Sequence, residues 1–376
     1  MLSDNNTSKD KHIILKLCLG IMADSGLIRV RRVLEHFGTV ENIPEAGSYH
    51  YNAYPEYISA FLKTLYSPAV IKAAISELEF ICRYNITPLW IEDNEYPTLL
   101  KECPDAPVML YLKGNPLHNS EYILAVVGTR SATIYGERIC RDIISGLSES
   151  GYHFNIISGL AYGIDACAHK AALDNGIKTW AVLGHGLNKL YPASNRPIAE
   201  SLLKEGGLFT EFNTGSKLFP ANFVKRNRII AGLADAVLVI ESAKKGGSLL
   251  TAGMANGYNR EVLAVPGRVT DKYSEGCNNL IKNNQAFLVE TAEDVAWALG
   301  WKKREKTDSI QTKLNFPSSE CPVQTNILMC LHEEGRVHID RISAQICMPV
   351  QKLSTYLLEM ILMGYIKGYP GQMYSL

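Results

Sequence analysis

The 376-residue chain has no charge bias, because 38 lysines and arginines stand against 38 aspartates and glutamates. A neutral total gives no global pull toward a polyanion, so any nucleic-acid site has to be local. No apolar run reaches the ~18 residues of a membrane span. The stretch Met1 to Lys11 is polar and lacks the apolar core of a signal peptide. A cytoplasmic protein without membrane insertion is expected. The nine cysteines never form a C-x-x-C pair and are odd in number, which argues against zinc and for reduced thiols. Neither the three-glycine dinucleotide fingerprint nor a P-loop occurs. Nicotinamide cofactors and ATP hydrolysis are therefore disfavoured, and no cofactor is expected.

What is present is an ordinary globular composition, 47% hydrophobic and 20% charged, in a chain long enough for two or three domains. Residues 1–120 read as mostly helical, with a connector. Ser67-Pro68 is an N-cap followed by proline at the first helical position, and Ile71, Ile75, Leu78 and Cys82 recur at helical spacing toward Asn85. A second helix ends at Gly38. The segment Leu34 to Thr39 followed by Ile43-Pro44 suggests a helical hairpin, a motif that touches DNA backbones or simply packs.

Residues 121–301 alternate short apolar runs with helical ones. The strand candidates are Tyr122–Val127, His153–Ile157, Thr179–Leu183, Ala236–Ile240, Glu261–Val265 and Phe287–Glu290. Strands alternating with helices predict a parallel sheet covered on both faces, an α/β fold. Residues 302–320 read as a polar linker. Residues 321–376 follow the order helix, strand, helix, helix, hairpin around Pro370-Gly371, which is a winged-helix order. With four cations against four acids, both a duplex reader and a protein-docking module fit it.

Four of the strands run straight into glycine, at Gly128, Gly159, Gly184 and Gly267. Ligands of open α/β sheets bind outside the carboxyl ends of the strands, so these turns predict a binding crest. Gly128-Thr129-Arg130 is either a helix-capping turn or an anion site of backbone amides with an arginine. The run Ser158-Gly159 to Gly163-Ile164-Asp165 precedes a helix with His169, four residues beyond Asp165. Local hydrogen bonding is the expected role of that pair, because no nucleophile accompanies it. Gly246-Gly247-Ser248 opens a further helix and makes a phosphate cradle. The stretch Phe223-Val224-Lys225-Arg226-Asn227-Arg228 adds an aromatic ring and three cations. Guanidinium and ammonium groups suit phosphates, and a ring suits an unpaired base. A nucleotide-processing enzyme could use the same loops with Glu241 or Glu211 as its carboxylate, and that alternative stays open.

Several stretches resemble the DprA/Smf family of DNA-processing proteins. They are YPTLLKECPDAPVMLYLKG (from Tyr96), AVVGTR (from Ala125), SGLAYGIDACAH (from Ser158), YPASNR (Tyr191 to Arg196), FVKRNRIIAGL (from Phe223) and GGSLLTA through VPG (Gly246 to Gly267). The resemblance implies a Rossmann-like domain that binds single-stranded DNA, with a helical domain of the SAM or helix-hairpin-helix kind before it and a winged helix after it. It implies a non-catalytic homodimer that protects incoming strands and loads the RecA recombinase during natural transformation. It places DNA contacts on Gly128, Thr129, Arg130, Ser158, Gly159, Gly163, Arg196, Phe223, Lys225, Arg226, Asn227, Arg228, Gly246, Gly247 and Ser248. Phe223 would stack on a base, the cations would bind phosphates, and the glycines would let DNA lie close to the backbone. On that basis, charge reversal at Arg226 or Arg228 is expected to flatten the salt dependence of binding. The family commonly has Gly-Ser-Arg where this chain has Gly128-Thr129-Arg130, and proline where it has Val224.

Overall fold

A computed structural model of the chain describes residues 4–46, 53–117, 122–303, 322–334, 337–346, 348–363, 365–369 and 372–375. The expected linker lies outside the described residues from position 304 onward, as do Cys321, Cys347 and the Pro370-Gly371 turn. The chain divides into two compact units, Met1–Arg304 and Glu305–Leu376.

The first unit opens with α1 (Asp4–Phe37, kinked at Gly26), α2 (Glu56–Leu65) and α3 (Pro68–Tyr84). The Ser67 hydroxyl accepts from the Val70 amide at one end of α3, and Asn85 takes a left-handed conformation at the other. The segment expected to form a helical hairpin makes only a single 3-10 turn, Val40–Asn42, after Gly38 ends α1. Two strands then appear in a region read from sequence as mostly helical. They are β1 (Thr87–Trp90) and, after the short α4 (Thr98–Lys101), β2 (Met109–Gly114). Pro88 is tolerated because β1 is an edge strand.

The remaining strands alternate with helices in the expected way. They run β3 (Tyr122–Val127), α5 (Ile134–Glu149), β4 (Phe154–Ser158), α6 (Ile164–Asp174), β5 (Thr179–Val182), α7 (Arg196–Glu205), β6 (Gly207–Thr210) and α8 (Pro220–Leu233). The series closes with β7 (Ala236–Val239), α9 (Gly247–Gly257), β8 (Glu261–Ala264), α10 (Glu275–Lys282), β9 (Phe287–Leu288) and α11 (Ala292–Ala298). Together they form a nine-stranded sheet of order β1-β2-β6-β5-β4-β3-β7-β8-β9. β1 and β2 pair antiparallel, and every pairing from β6 to β9 is parallel.

Strand alternation splits the core in two. In β3, Ala125 and Val127 face α8, α9 and α10, while Leu124 and Val126 face α5, α6 and α11. Trp90, Met109 and Tyr111 of β1 and β2 instead pack with α1 to α3. The chain winds outward from β3 to β6 and then returns to lay β7 against the other side of β3. The topological switch point therefore falls between β3 and β7, where a doubly wound sheet opens a crevice.

The second unit contains α12 (Pro322–Glu334), β10 (Val337–His338), α13 (Ile339–Ile346), α14 (Val350–Leu362), β11 (Lys367–Tyr369) and β12 (Met373–Ser375). Its strands pair antiparallel in the order β10-β12-β11. Leu353 and Leu357 of α14 are fully buried, clustered with Ile327, Ile342 and Met360.

Candidate nucleic-acid interface

A cavity of about 300 Å³ opens at the switch point. Its walls are Val127 to Arg130 at the end of β3, Ala161 and Asp165 after β4, Ser242, Ala243 and Gly246 to Ser248 after β7, and one face of α8. That face carries Phe223, Arg226, Asn227 and Ile230, the i, i+3, i+4, i+7 stripe of a helix. Pro220 starts α8 without losing a needed amide donor. The start of α9 brings Gly247 and Ser248 to the cavity, at the helix end whose dipole favours an anion, while the Gly246 amide is already bonded to Ala243 O at 2.9 Å.

Arg130 is exposed, with its guanidinium carbon 5.5 Å from the centre of the half-buried Phe223 ring, a cation–π arrangement. Phe223 lies over Gly184, where an added Cβ would come within 2.8 Å of the ring. Thr129 lines the cavity, its amide bonded to Glu241 O at 2.8 Å. Asn227 donates to Gly247 O at 3.5 Å and accepts from Arg226 Nε at 3.2 Å.

The other expected contacts are placed differently. Arg226 is 3% exposed and forms part of the cavity floor. Its Nη1 donates to Gly159 O at 2.7 Å and to Val182 O, clamping the ends of β4 and β5, while Nη2 has no protein partner among the described residues. Burial pulls the Arg226 guanidinium down to about 10, with Asp165 opposing the shift, so it stays charged at neutral pH. Lys225 and Arg228 point to the far side of the helix. Arg228 donates to Glu211 and to Asp105 O, and Lys225 Nζ sits 3.4 Å from Asp24 and 3.7 Å from Glu211. Both are absent from the cavity lining, because residues two apart on a helix do not share a face. Arg196 is exposed at the first position of α7, also outside the lining. Ser158 is wholly buried and donates to Val126 O at 2.6 Å.

Most of these glycines pack closely against the protein's own atoms. A Cβ on Gly159 would lie 2.5 Å from Arg226 Nη2. Gly163 has φ +73 and presses on Thr129 O, so both its conformation and its space demand glycine. Gly128 is filled by Ile164 and Gly246 by Ser242, whereas Gly247 meets nothing within 4 Å. The Ser248 hydroxyl donates to Ser242 Oγ at 2.8 Å.

The carboxylates near the crest act as acceptors. Glu241 takes the Thr133 amide at 2.9 Å and its hydroxyl at 2.5 Å, fixing the start of α5. Asp165 Oδ2 accepts from the Ala161 amide at 3.3 Å, and burial pushes its pKa up. His169 is fully buried, with Nδ1 2.7 Å from Thr179 Oγ1. Burial, aided by the charge on Arg226, lowers its pKa to about 3. Among the described residues no group of three or more histidine, cysteine, aspartate or glutamate side chains is placed to hold a metal. Nor is any single helix there long and apolar enough to cross a membrane.

Sequence reasoning missed Tyr162 and Tyr191, which line a shallow crevice with Arg130 and Phe223. The Tyr191 ring centre is 5.6 Å from that of Phe223. Tyr162 stands four residues after the end of β4, and that placement was the available signal.

Fold and cavity together define a doubly wound α/β protein with a cavity at its switch point. The family model for DNA recombination-mediator protein A matches residues 87–300, a span that begins at β1 and takes in all nine strands. The chain belongs to that family. It is 34% identical over 315 residues to Protein Smf of Synechocystis, covering 76% of this chain and 78% of the relative. It is 38% identical over 283 residues to Protein Smf of Escherichia coli, covering 74% and 75%. The X-ray structure of DNA processing protein A from Streptococcus pneumoniae aligns with TM-score 0.60 at 33% identity, over 76% of this chain and 95% of that one. DNA processing protein A from Helicobacter pylori, solved for its unique single-stranded DNA binding mode, aligns with TM-score 0.52 at 24% identity, over 58% of this chain and 98% of that one. At that identity the likeness extends to the fold.

Proposed function

We propose that the protein is a single-stranded-DNA-binding recombination mediator that grips the strand at the crest between β3 and β7. The observation that carries this reading is Arg130 held against the Phe223 ring in the lining of the switch-point cavity. An exposed guanidinium meets a phosphate, a half-buried ring takes a base face, and neither selects a sequence. A duplex keeps its base faces stacked inside, so the ring favours unpaired DNA.

The site acts by holding rather than by chemistry in this reading. It rests on Asp165 and Glu241 being engaged with backbone amides and hydroxyls of their own loops. The cytoplasm, a homodimer and the loading of RecA onto the bound strand are the partners and setting that family membership suggests. The second unit, with its order of helix, strand, two helices and a strand pair, we assign as a winged helix. The helices before β1 we assign as the family's N-terminal SAM-like or helix-hairpin-helix-like module.

The test is oligothymidine binding by the full chain across a salt series, with duplex of equal length for comparison. Phe223→Ala should weaken single-strand binding by about 1–3 kcal/mol, and wild type should prefer the single strand. Equal affinity of both proteins for both ligands sinks the reading. Free base released from nucleoside monophosphates would favour a nucleotide-cleaving enzyme instead. RecA filament growth on the bound strand, with and without the protein, tests the loading role.

A further inference from the structure

Tyr162 and Tyr191 have no part in the reading above, yet they stand 46% and 43% exposed beside Arg130 and Phe223. Single exposed aromatics are common on protein surfaces and mean little alone. What sets these two apart is the backbone beneath them, which buried polar side chains hold in place. The Tyr191 amide donates to His185 Nε2 at 3.1 Å. His185 is itself 1% exposed, with Nδ1 3.0 Å from Gly186 O. On the other loop, Asn195 donates to Leu160 O at 3.0 Å and Ala161 O at 3.2 Å. Asp165 accepts the Ala161 amide from the opposite side, and Leu160 is kept at φ 55. Two loops are thus fixed from within while the rings they carry stay outside. Such preorganisation lowers the ordering cost of a ligand that lands on the rings.

We propose that Tyr162 and Tyr191 form a second base-stacking subsite for single-stranded DNA, so that the crest takes two successive unpaired bases around Arg130. This rests on the function proposed above. The Tyr191 and Phe223 rings are 5.6 Å apart and inclined at 57°. Two bases lying on such faces are turned away from each other, and the linking phosphate falls to Arg130. The strand must therefore unstack to bind. Adenine runs stack on themselves more strongly than thymine runs, so preference follows strand flexibility rather than base edges. Oligothymidine is bound more tightly than oligodeoxyadenosine of equal length.

The experiment uses the full chain and fluorescence anisotropy with both labelled oligonucleotides. The variants are Tyr162→Ala, Tyr191→Ala and Tyr191→Phe, with Phe223→Ala and Arg130→Ala as references and a thermal melt of each. Tyr191→Ala should lose about 5- to 100-fold in oligothymidine affinity, and Tyr162→Ala should move the same way. Tyr191→Phe should bind like wild type, and the thymidine preference should narrow in both alanine variants while the melts stay unchanged. Tyrosine variants that bind like wild type beside a weakened Phe223→Ala overturn the subsite and leave the parent reading standing. A loss that spares the thymidine preference, or that Tyr191→Phe shares, assigns the rings to packing and also overturns it. If Phe223→Ala and Arg130→Ala bind like wild type as well, the parent reading itself fails.

Discussion

Helix α8 has two faces that look alike in one dimension and differ completely in three. Phe223, Arg226, Asn227 and Ile230 line the cavity, while Lys225 and Arg228 turn toward Glu211, Asp24 and Asp105. Three cations within four residues suggest a phosphate-binding patch. On the helix, Arg228 is paired inside the protein, half-buried Lys225 is paired with Asp24 and Glu211, and Arg226 is a buried clamp. The cation that reaches solvent at the site, Arg130, comes from another element altogether. Local density of charge in a sequence therefore says little about charge at a surface until the helical period has been applied.

The sharpest way to break this comparison is to remove the far face. Glu211 is buried, and its pairing with Arg228 is the principal thing opposing the rise that burial imposes on its pKa. Arg228→Ala leaves that carboxylate without its main partner. Losing one side of a buried pair costs about 3–5 kcal/mol, and the lower end applies because Lys225 Nζ remains 3.7 Å away. The unfolding midpoint should drop accordingly, while the folded protein keeps its affinity and salt slope for oligothymidine. An unchanged midpoint with a shallower salt slope would reverse the assignment of the faces.

The parallel sheet was legible because five of its strands are apolar runs ending in turns, and Tyr122–Val127 was read to its exact bounds. β6 was hidden because Gly207 to Thr210 is short and glycine-led. β1 and β2 were hidden because they pair with each other across a helical turn in a stretch dominated by helices. At the site, Phe223 and the Gly128-Thr129-Arg130 turn were legible from motif and placement. Side-chain direction was not, since Arg226 and Arg228 are alike in residue type and differ in which face of α8 carries them. The packing partners of Gly128, Gly159 and Gly246 were hidden for a related reason. A small residue marks a close approach, but only coordinates say that the approaching group is Ile164, Arg226 or Ser242.

A second test works on the near face, where Arg226 shares its buried surroundings with Asp165 and His169. The His169 pKa is about 3 in the folded protein against 6.5 for the free side chain. As pH falls through 6.5 the unfolded chain takes up the proton first. The stability gained by keeping the ring neutral is therefore present above pH 6.5 and is lost as pH drops toward 3. For one group this amounts to about 2 kcal/mol between pH 7 and pH 5. Asp165, raised by burial, acts in the opposite sense, so the comparison is between wild type and His169→Gln rather than wild type alone. The variant should show a flatter stability profile between pH 5 and 7. Parallel profiles would mean that His169 is reached by protons in the folded state and that its buried surroundings are not sealed from solvent.

The finest distinction is electrostatic and touches binding alone. Each phosphate neutralised by a cation contributes close to one unit to the slope of log affinity against log salt, about 0.7 for a single strand. Arg130→Gln should therefore lower that slope by roughly this amount. Lys225→Gln should leave it unchanged, because the ammonium is already matched by Asp24 and Glu211. The two substitutions remove the same charge from the same protein and differ only in where it points. Their contrast measures the division of α8 and its neighbours into a DNA-facing side and a structural side more directly than affinity does. If Lys225→Gln lowered the slope as much as Arg130→Gln, the strand would have to cross both faces of the helix, and the crest between β3 and β7 would be too narrow a description of the site.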